Sequence, residues 1–216
     1  MQEGRPRSTA QRVERGIRPY VVLGAGLDTF AYRNPYPGLR VFEIDPPDTQ
    51  RWKREVLAAA GIGIPDSLGF APVDFSRETL VDGLARTAFS PGDGAFFSWL
   101  GVTPYLKPDV TLDTLRRIAE LGPRNAIVFD YARPRSSLGL LQRLAFDALA
   151  QRVARAGEPF VGFFDPAALG REMRRAGWTH LDDLGAGELN ALYFRDRPDG
   201  LKLRGEMGRI MSARCA

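Results

Sequence analysis

VVLGAGLDTFAYR, Val21 to Arg33, is the stretch from which the rest of the chain is read. Two valines and a leucine lead into Gly-Ala-Gly, and Leu-Asp-Thr follows. A buried strand, a tight glycine turn and a helix start in that order form a shape with which α/β proteins hold nucleotide-like ligands. Gly24 and Gly26, on either side of Ala25, permit positive φ and let another group approach the backbone closely. A Gly-x-Gly pair is equally consistent with a plain tight turn, so its meaning depends on what surrounds it.

Outward from the turn, strand-like and helix-like runs alternate. LRVFEID (39–45) reads as a second strand. Between Asp48 and Ala60, Trp52, Val56 and Ala59 recur at three and four residues, which predicts a helix with one apolar face and Gly61 as its stop. GFAPVDF (69–75) is a third strand, with Ser76 capping a helix over Glu78 to Arg86. GAFFSWLGV (94–102) is a fourth, followed by a helix opening at Pro108-Asp109 with Leu112, Leu115 and Ala119 on one side. NAIVFDY (125–131) is a fifth, and Leu138, Leu141, Ala145 and Leu149 mark a helix ending near Gly157. A short helix spans 166–176, after which GWTHLDD and ELNALYF read as an antiparallel strand pair around Gly185-Ala186-Gly187. The expected fold is α/β, a doubly wound, mostly parallel sheet with an antiparallel C-terminal hairpin.

Ligands of such sheets bind beyond the carboxyl ends of the strands. The second strand ends in Asp45, nineteen residues after Gly26, where a carboxylate can accept both hydroxyl hydrogens of an adenosine ribose. Glu43 is expected on the opposite face in a structural role. Asp74 and Phe75 close the third strand and offer an acceptor for an adenine amino group and an apolar side chain for its ring; Asp74 also reads as a helix N-cap. A dinucleotide would want a third glycine where Thr29 stands, and Asp28 puts negative charge where its pyrophosphate would lie. A cofactor carrying an ammonium and a sulfonium tolerates such acids.

Composition narrows the classes further. The 216 residues fit one domain, and 44% apolar with 26% charged residues is ordinary globular composition. The net charge is +4, but arginines lie beside acids, as in RRIAE and GREMRR, so the expectation is solvated helix faces and no nucleic acid. Cys215 is the single cysteine, which excludes an internal disulfide and a cysteine metal cluster. No run approaches the roughly 18 to 20 apolar residues of a membrane helix, and no signal-peptide pattern opens the chain, so a cytoplasmic protein with no membrane and no metal is expected. His180, the single histidine, falls in the late hairpin and is read as a packing or surface residue.

LGAGLDTFAYR (23–33), VFEIDPP (41–47), VDF (73–75), SWLGVTPYL (98–106) and IVFDY (127–131) together resemble the successive motifs of the leucine carboxyl methyltransferase family, in its bacterial branch. The resemblance implies a class I methyltransferase fold that uses S-adenosyl-L-methionine. It places Gly24, Ala25 and Gly26 at the methionyl end of the cofactor, Asp45 at the ribose, and Asp74 with Phe75 at the adenine. Leu100 stands where many relatives carry an acid, beside the cofactor ammonium. Relatives usually carry a longer segment before the glycine strand, so residues 1–18 are read as a basic leader, a remnant of a lid, and 19–216 as the methyltransferase domain. Tyr105, Tyr131 and Arg133 are candidates for the acceptor pocket, Trp99 for the core, and Asp130 for a supporting or strand-capping role. The implied reaction is O-methylation of a small-molecule carboxyl or hydroxyl by in-line transfer, with no residue assigned to proton chemistry. Two other readings are a non-catalytic cofactor-binding protein, suggested by the short leader and Leu100, and an NAD-dependent oxidoreductase, opposed by Thr29.

Overall fold

The computed structural model describes residues 16, 19–75, 77–90, 92, 94–155 and 157–216. The basic leader, apart from Gly16, and the expected cap Ser76 lie outside the described residues. Seven strands form one sheet: β1 (Pro19–Leu23), β2 (Arg40–Asp45), β3 (Leu68–Pro72), β4 (Phe96–Trp99), β5 (Ala126–Ala132), β6 (His180–Leu184) and β7 (Gly208–Arg214). Their order is β3-β2-β1-β4-β5-β7-β6, with β7 antiparallel to both neighbours and the other pairs parallel. The order reverses between β1 and β4, the point at whose carboxyl edge open α/β sheets bind ligands.

The helices are α1 (Pro47–Ala59), α2 (Leu80–Ala85), α3 (Pro108–Glu120), α4 (Leu140–Arg155), α5 (Pro166–Arg175) and α6 (Ala186–Tyr193). On one face of the sheet, Val21, Leu23, Ile44, Phe97, Trp99, Ile127 and Phe129 pack with Leu80, Leu115, Ile118 and Met173 from α2, α3 and α5. On the other, Tyr20, Val22, Val41 and Phe96 pack with Phe30, Tyr32 and Tyr36 of the segment after the glycine turn. Strand alternation divides the two sets, since successive side chains point to opposite faces. Thr79 caps α2, accepting from the Asp82 N–H while the Asp82 carboxylate accepts from the Thr79 N–H. Trp178, buried with its indole N–H donating to the Leu115 carbonyl at 3.2 Å, ties the segment after α5 to α3. Trp178→Ala should cost about 3–5 kcal/mol, as buried aromatic truncations do, measured as a lower midpoint in urea unfolding.

Three expectations need correction. ELNALYF is helix α6, not a strand: Glu188 reaches back to accept the Gly185 N–H at 2.9 Å, a helix-starting contact, and Glu, Leu and Ala favour helix. The antiparallel partner of β6 is instead GRIMSAR, which is held on both sides by β5 and β6 and so needs little alternation of its own. The apolar stripe of α1 faces outward, with Trp52 and Val56 exposed, while Gln50 and Lys53 are buried. Gln50 donates to the Glu43 and Ala71 carbonyls, so polar groups of β2 and β3 determine which side of α1 turns in. In α4, Leu141 and Leu149 are likewise exposed with Leu140 and Leu144; Phe146 turns instead toward Phe160 and Phe163.

Candidate functional site

Sheet register assembles the site. Ile44, Leu23, Trp99 and Phe129 form the last fully paired row across β2, β1, β4 and β5. One residue further come Asp45, Gly24, Leu100 and Asp130, side by side at the carboxyl edge.

The glycine turn is tied down first. Gly24 and Ala25 N–H groups both donate to the Ile44 carbonyl, at 2.7 and 3.2 Å. Gly24 has φ +66°, and a Cβ there would fall 2.2 Å from Cγ2 of Val102. The close approach this glycine permits is therefore filled by the loop leaving β4. Gly26, φ +45°, differs: a Cβ there would meet no atom within 4 Å, so this side of the turn is open. Its N–H donates to Oδ2 of Asp45, which is buried at the end of β2. Burial holds the Asp45 carboxyl above its ordinary range, and the Gly26 hydrogen bond only partly opposes this.

Glu43 shares a face with Asp45, as residues two apart on a strand must, and the expectation of opposite faces fails on that period. Its structural role takes the form of a buried ion pair with Lys53 at 2.7 Å. Asp28 accepts the Phe30 N–H at 2.7 Å, a local turn contact.

The Val73 N–H donates to the Asp45 carbonyl at 2.9 Å, which brings Asp74 and Phe75 to the same edge. Asp74 accepts two N–H groups at its carbonyl, from Arg77 and Glu78, and its carboxylate lies 3.5 Å from the Arg77 guanidinium. Phe75 packs against buried Trp99, ring centres 6.2 Å apart, and borders a cavity of about 400 Å³ between α2 and α3 that Thr79, Asp109 and Arg117 also line. That cavity does not include the glycine turn or Asp45. Leu100 is half exposed. The neighbouring Gly101 N–H donates to Asp130 at 2.8 Å, and the Thr103 hydroxyl donates to the Asp130 carbonyl at 2.5 Å. Asp130 thus fastens the β4 exit as Asp45 fastens the glycine turn, and burial raises its carboxyl too.

The three acceptor-pocket candidates have separate partners. Tyr105 is partly exposed, its ring 5.3 Å from that of Phe160. Tyr131 is buried on the opposite face of the sheet from Asp45, its hydroxyl donating to Asp183 at 2.8 Å, and Asp183 also accepts from Arg209. Arg133 lies 3.3 Å from the Glu206 carboxylate, just before the start of β7. His180 opens β6 level with Ala126, at the edge of the sheet away from the glycine turn. Sequence reading passed over Lys53 and Val102; the only signal for Lys53 was its place three residues after Gln50, on the polar side of α1.

Strand order, reversal point and an acid at the end of β2 define a class I methyltransferase fold. The leucine carboxyl methyltransferase model matches residues 7–119, and the chain belongs to that family. Two curated relatives are each named "Putative S-adenosyl-L-methionine-dependent methyltransferase". YktD of Bacillus subtilis (strain 168) is 33% identical over 191 residues, covering 86% of this chain and 62% of that protein. A Saccharopolyspora erythraea protein is 30% identical over 204 residues, covering 92% and 68%. The chain thus spans about two thirds of the length of these relatives. Among solved structures, magnesium protoporphyrin IX methyltransferase of Synechocystis PCC 6803 with bound SAH has the same fold, with a TM-score of 0.54, 12% identity, and coverage of 96% of this chain and 80% of that one. No group of three or more His, Cys, Asp or Glu able to hold a metal ion occurs among the described residues. No helix among them is long and apolar enough to cross a membrane.

Proposed function

We propose that this chain is an S-adenosyl-L-methionine-dependent O-methyltransferase acting on a carboxyl or hydroxyl group of a small molecule. The observation that carries the reading is Asp45, a buried carboxylate at the end of β2, beside the strand where the order reverses, and held by the Gly26 N–H of the glycine turn. This arrangement fits an adenosine ribose, whose two hydroxyls need an acceptor held in place. Asp74 and Phe75 are the residues for the adenine, and Gly24, Ala25, Gly26 and Leu100 border the methionyl end. When bound, the cofactor supplies an electrophilic methyl on a positive sulfonium.

The work left to the protein is alignment of the acceptor oxygen with that methyl, at about 3 to 3.5 Å, and exclusion of water. A carboxylate acceptor is already ionised at neutral pH and requires no base. That agrees with a site from which His180 is remote, while the Tyr131 hydroxyl, on the other face of the sheet, is committed to Asp183. Tyr105, at the β4 exit, is the pocket candidate with exposed surface to offer. The family's own description, leucine carboxyl methyltransferase, favours the carboxyl over the hydroxyl.

Calorimetric titration with S-adenosyl-L-methionine, followed by transfer of labelled methyl into a panel of carboxylic acids and phenols, tests the proposal. Micromolar binding with label in an acid supports it; no binding by the wild type overturns it. Binding without transfer to any acceptor points to the non-catalytic reading, which half-exposed Leu100 in place of an acid motivates.

Affinity should also fall on acidification. Ribose recognition uses ionised Asp45, and burial raises its pKa above the ordinary 3.8. Binding should therefore be lost as pH falls through a value higher than for a solvent-exposed aspartate, while an Asp45→Asn variant shows no such step.

A further inference from the structure

Lys53 has a buried side chain, as does its partner Glu43. The ammonium lies 2.7 Å from Oε2 of Glu43 and 2.9 Å from the Asp28 carbonyl oxygen, and 5.6 Å from the centre of the Tyr32 ring. Three elements therefore face one cation: β2 through Glu43, the glycine loop through Asp28, and the turn after it through Tyr32. Burying such a pair gains little stability by itself, because the loss of hydration offsets the attraction, and an apolar pair of similar size often serves as well. What an apolar pair cannot do is hold a backbone carbonyl.

We propose that Lys53 is a positioning residue for the cofactor loop: it anchors the Asp28 carbonyl while Asp45 grips the Gly26 N–H, so that the two acids of β2, one of them through Lys53, fix one loop at two points. The role rests on the reading of this loop as the cofactor site. Glu43 acts through Lys53, holding the ammonium in line with the carbonyl. The Asp28 carboxylate accepts the Phe30 N–H and acts on the pair only through its charge, which opposes ionisation of Glu43. Without the Lys53 anchor, residues 26–28 would move about the Asp45 contact, and part of the binding energy would go into ordering them.

The test compares Lys53→Met, and Lys53→Met with Glu43→Leu, against the wild type in two measurements: amide hydrogen exchange without cofactor and calorimetric titration with S-adenosyl-L-methionine. The single variant strands Glu43 and is expected to melt lower. The double variant should fold with a Tm near that of the wild type. In it, exchange over residues 26–30 should rise about tenfold or more while Val21–Leu23 and Phe97–Trp99 are unchanged. Its affinity should drop about tenfold, the scale of one charge-assisted hydrogen bond. A folded double variant whose loop exchanges like the wild type overturns the proposal, as does failure of the double variant to fold, which would make the pair a requirement of the core. Because exchange is read without cofactor, a wild type that does not bind S-adenosyl-L-methionine defeats the functional reading and leaves this test decisive.

Discussion

Replacing Asp45 by alanine is expected to weaken S-adenosyl-L-methionine binding by about 100-fold or more. Each charge-assisted hydrogen bond from a ribose hydroxyl contributes roughly 1.5–3 kcal/mol, and two are lost together. A second effect has the opposite sign. Because the folded carboxyl is raised, the native state holds its proton more tightly than the unfolded chain does. Its contribution to stability is therefore fully present below the ordinary 3.8 and is lost as pH rises through the raised value. At neutral pH the ionised group destabilises the cofactor-free protein, and Asp45→Asn, which can still accept the Gly26 N–H, should raise Tm by about 2–4 °C for each kcal/mol relieved. Calorimetry and thermal unfolding on the same preparations check both halves. A variant that binds normally removes Asp45 from the site, and one that fails to bind but melts lower than the wild type shows that Asp45 is structural.

The carboxyl-edge residues were readable because each ends a strand whose apolar run announces it. Gly24 follows Val-Val-Leu, Asp45 follows Val-Phe-Glu-Ile, and register then places them in one row with Leu100 and Asp130. Helix faces were less readable. Spacing shows that Trp52 and Val56 share a side of α1, but not which side turns inward, and the carbonyls that capture Gln50 and the ion pair that captures Lys53 belong to other elements.

The acceptor pocket was the least readable part. Tyr131 and Arg133 lie close together in sequence after an apolar strand, as site residues often do. By alternation one falls on the face of the sheet opposite Asp45, and the other is drawn to Glu206, which lies 73 residues further on. ELNALYF was misread for a related reason: seven apolar and polar residues fit either period until the capping contact of Glu188 is seen.

The two glycines of the turn should separate fold from function. Gly24→Ala places a methyl 2.2 Å from Val102 Cγ2 at φ +66°. The left-handed backbone costs an alanine about 1–2 kcal/mol and overpacking about 1–3 more, so a loss of roughly 2–5 kcal/mol is expected. For a chain of this size that lowers Tm by about 10 °C. Pairing Gly24→Ala with Val102→Ala removes the clash and should restore part of the loss, leaving the backbone strain. Gly26→Ala meets no atom, so only the strain of φ +45° remains, and the fold should lose about 1 kcal/mol. The added methyl would project into open space at the turn, with no atom of Asp45 within 4 Å of it, and with the cofactor bound on that side its affinity should fall by more than the small change in stability accounts for. Urea unfolding and calorimetry on the four proteins decide the matter. If Gly26→Ala binds as tightly as the wild type, the open side of the turn is not where the ligand lies. If Gly24→Ala is as stable as the wild type, the β4 exit loop is free to move away from the turn, and the contact between them is not fixed.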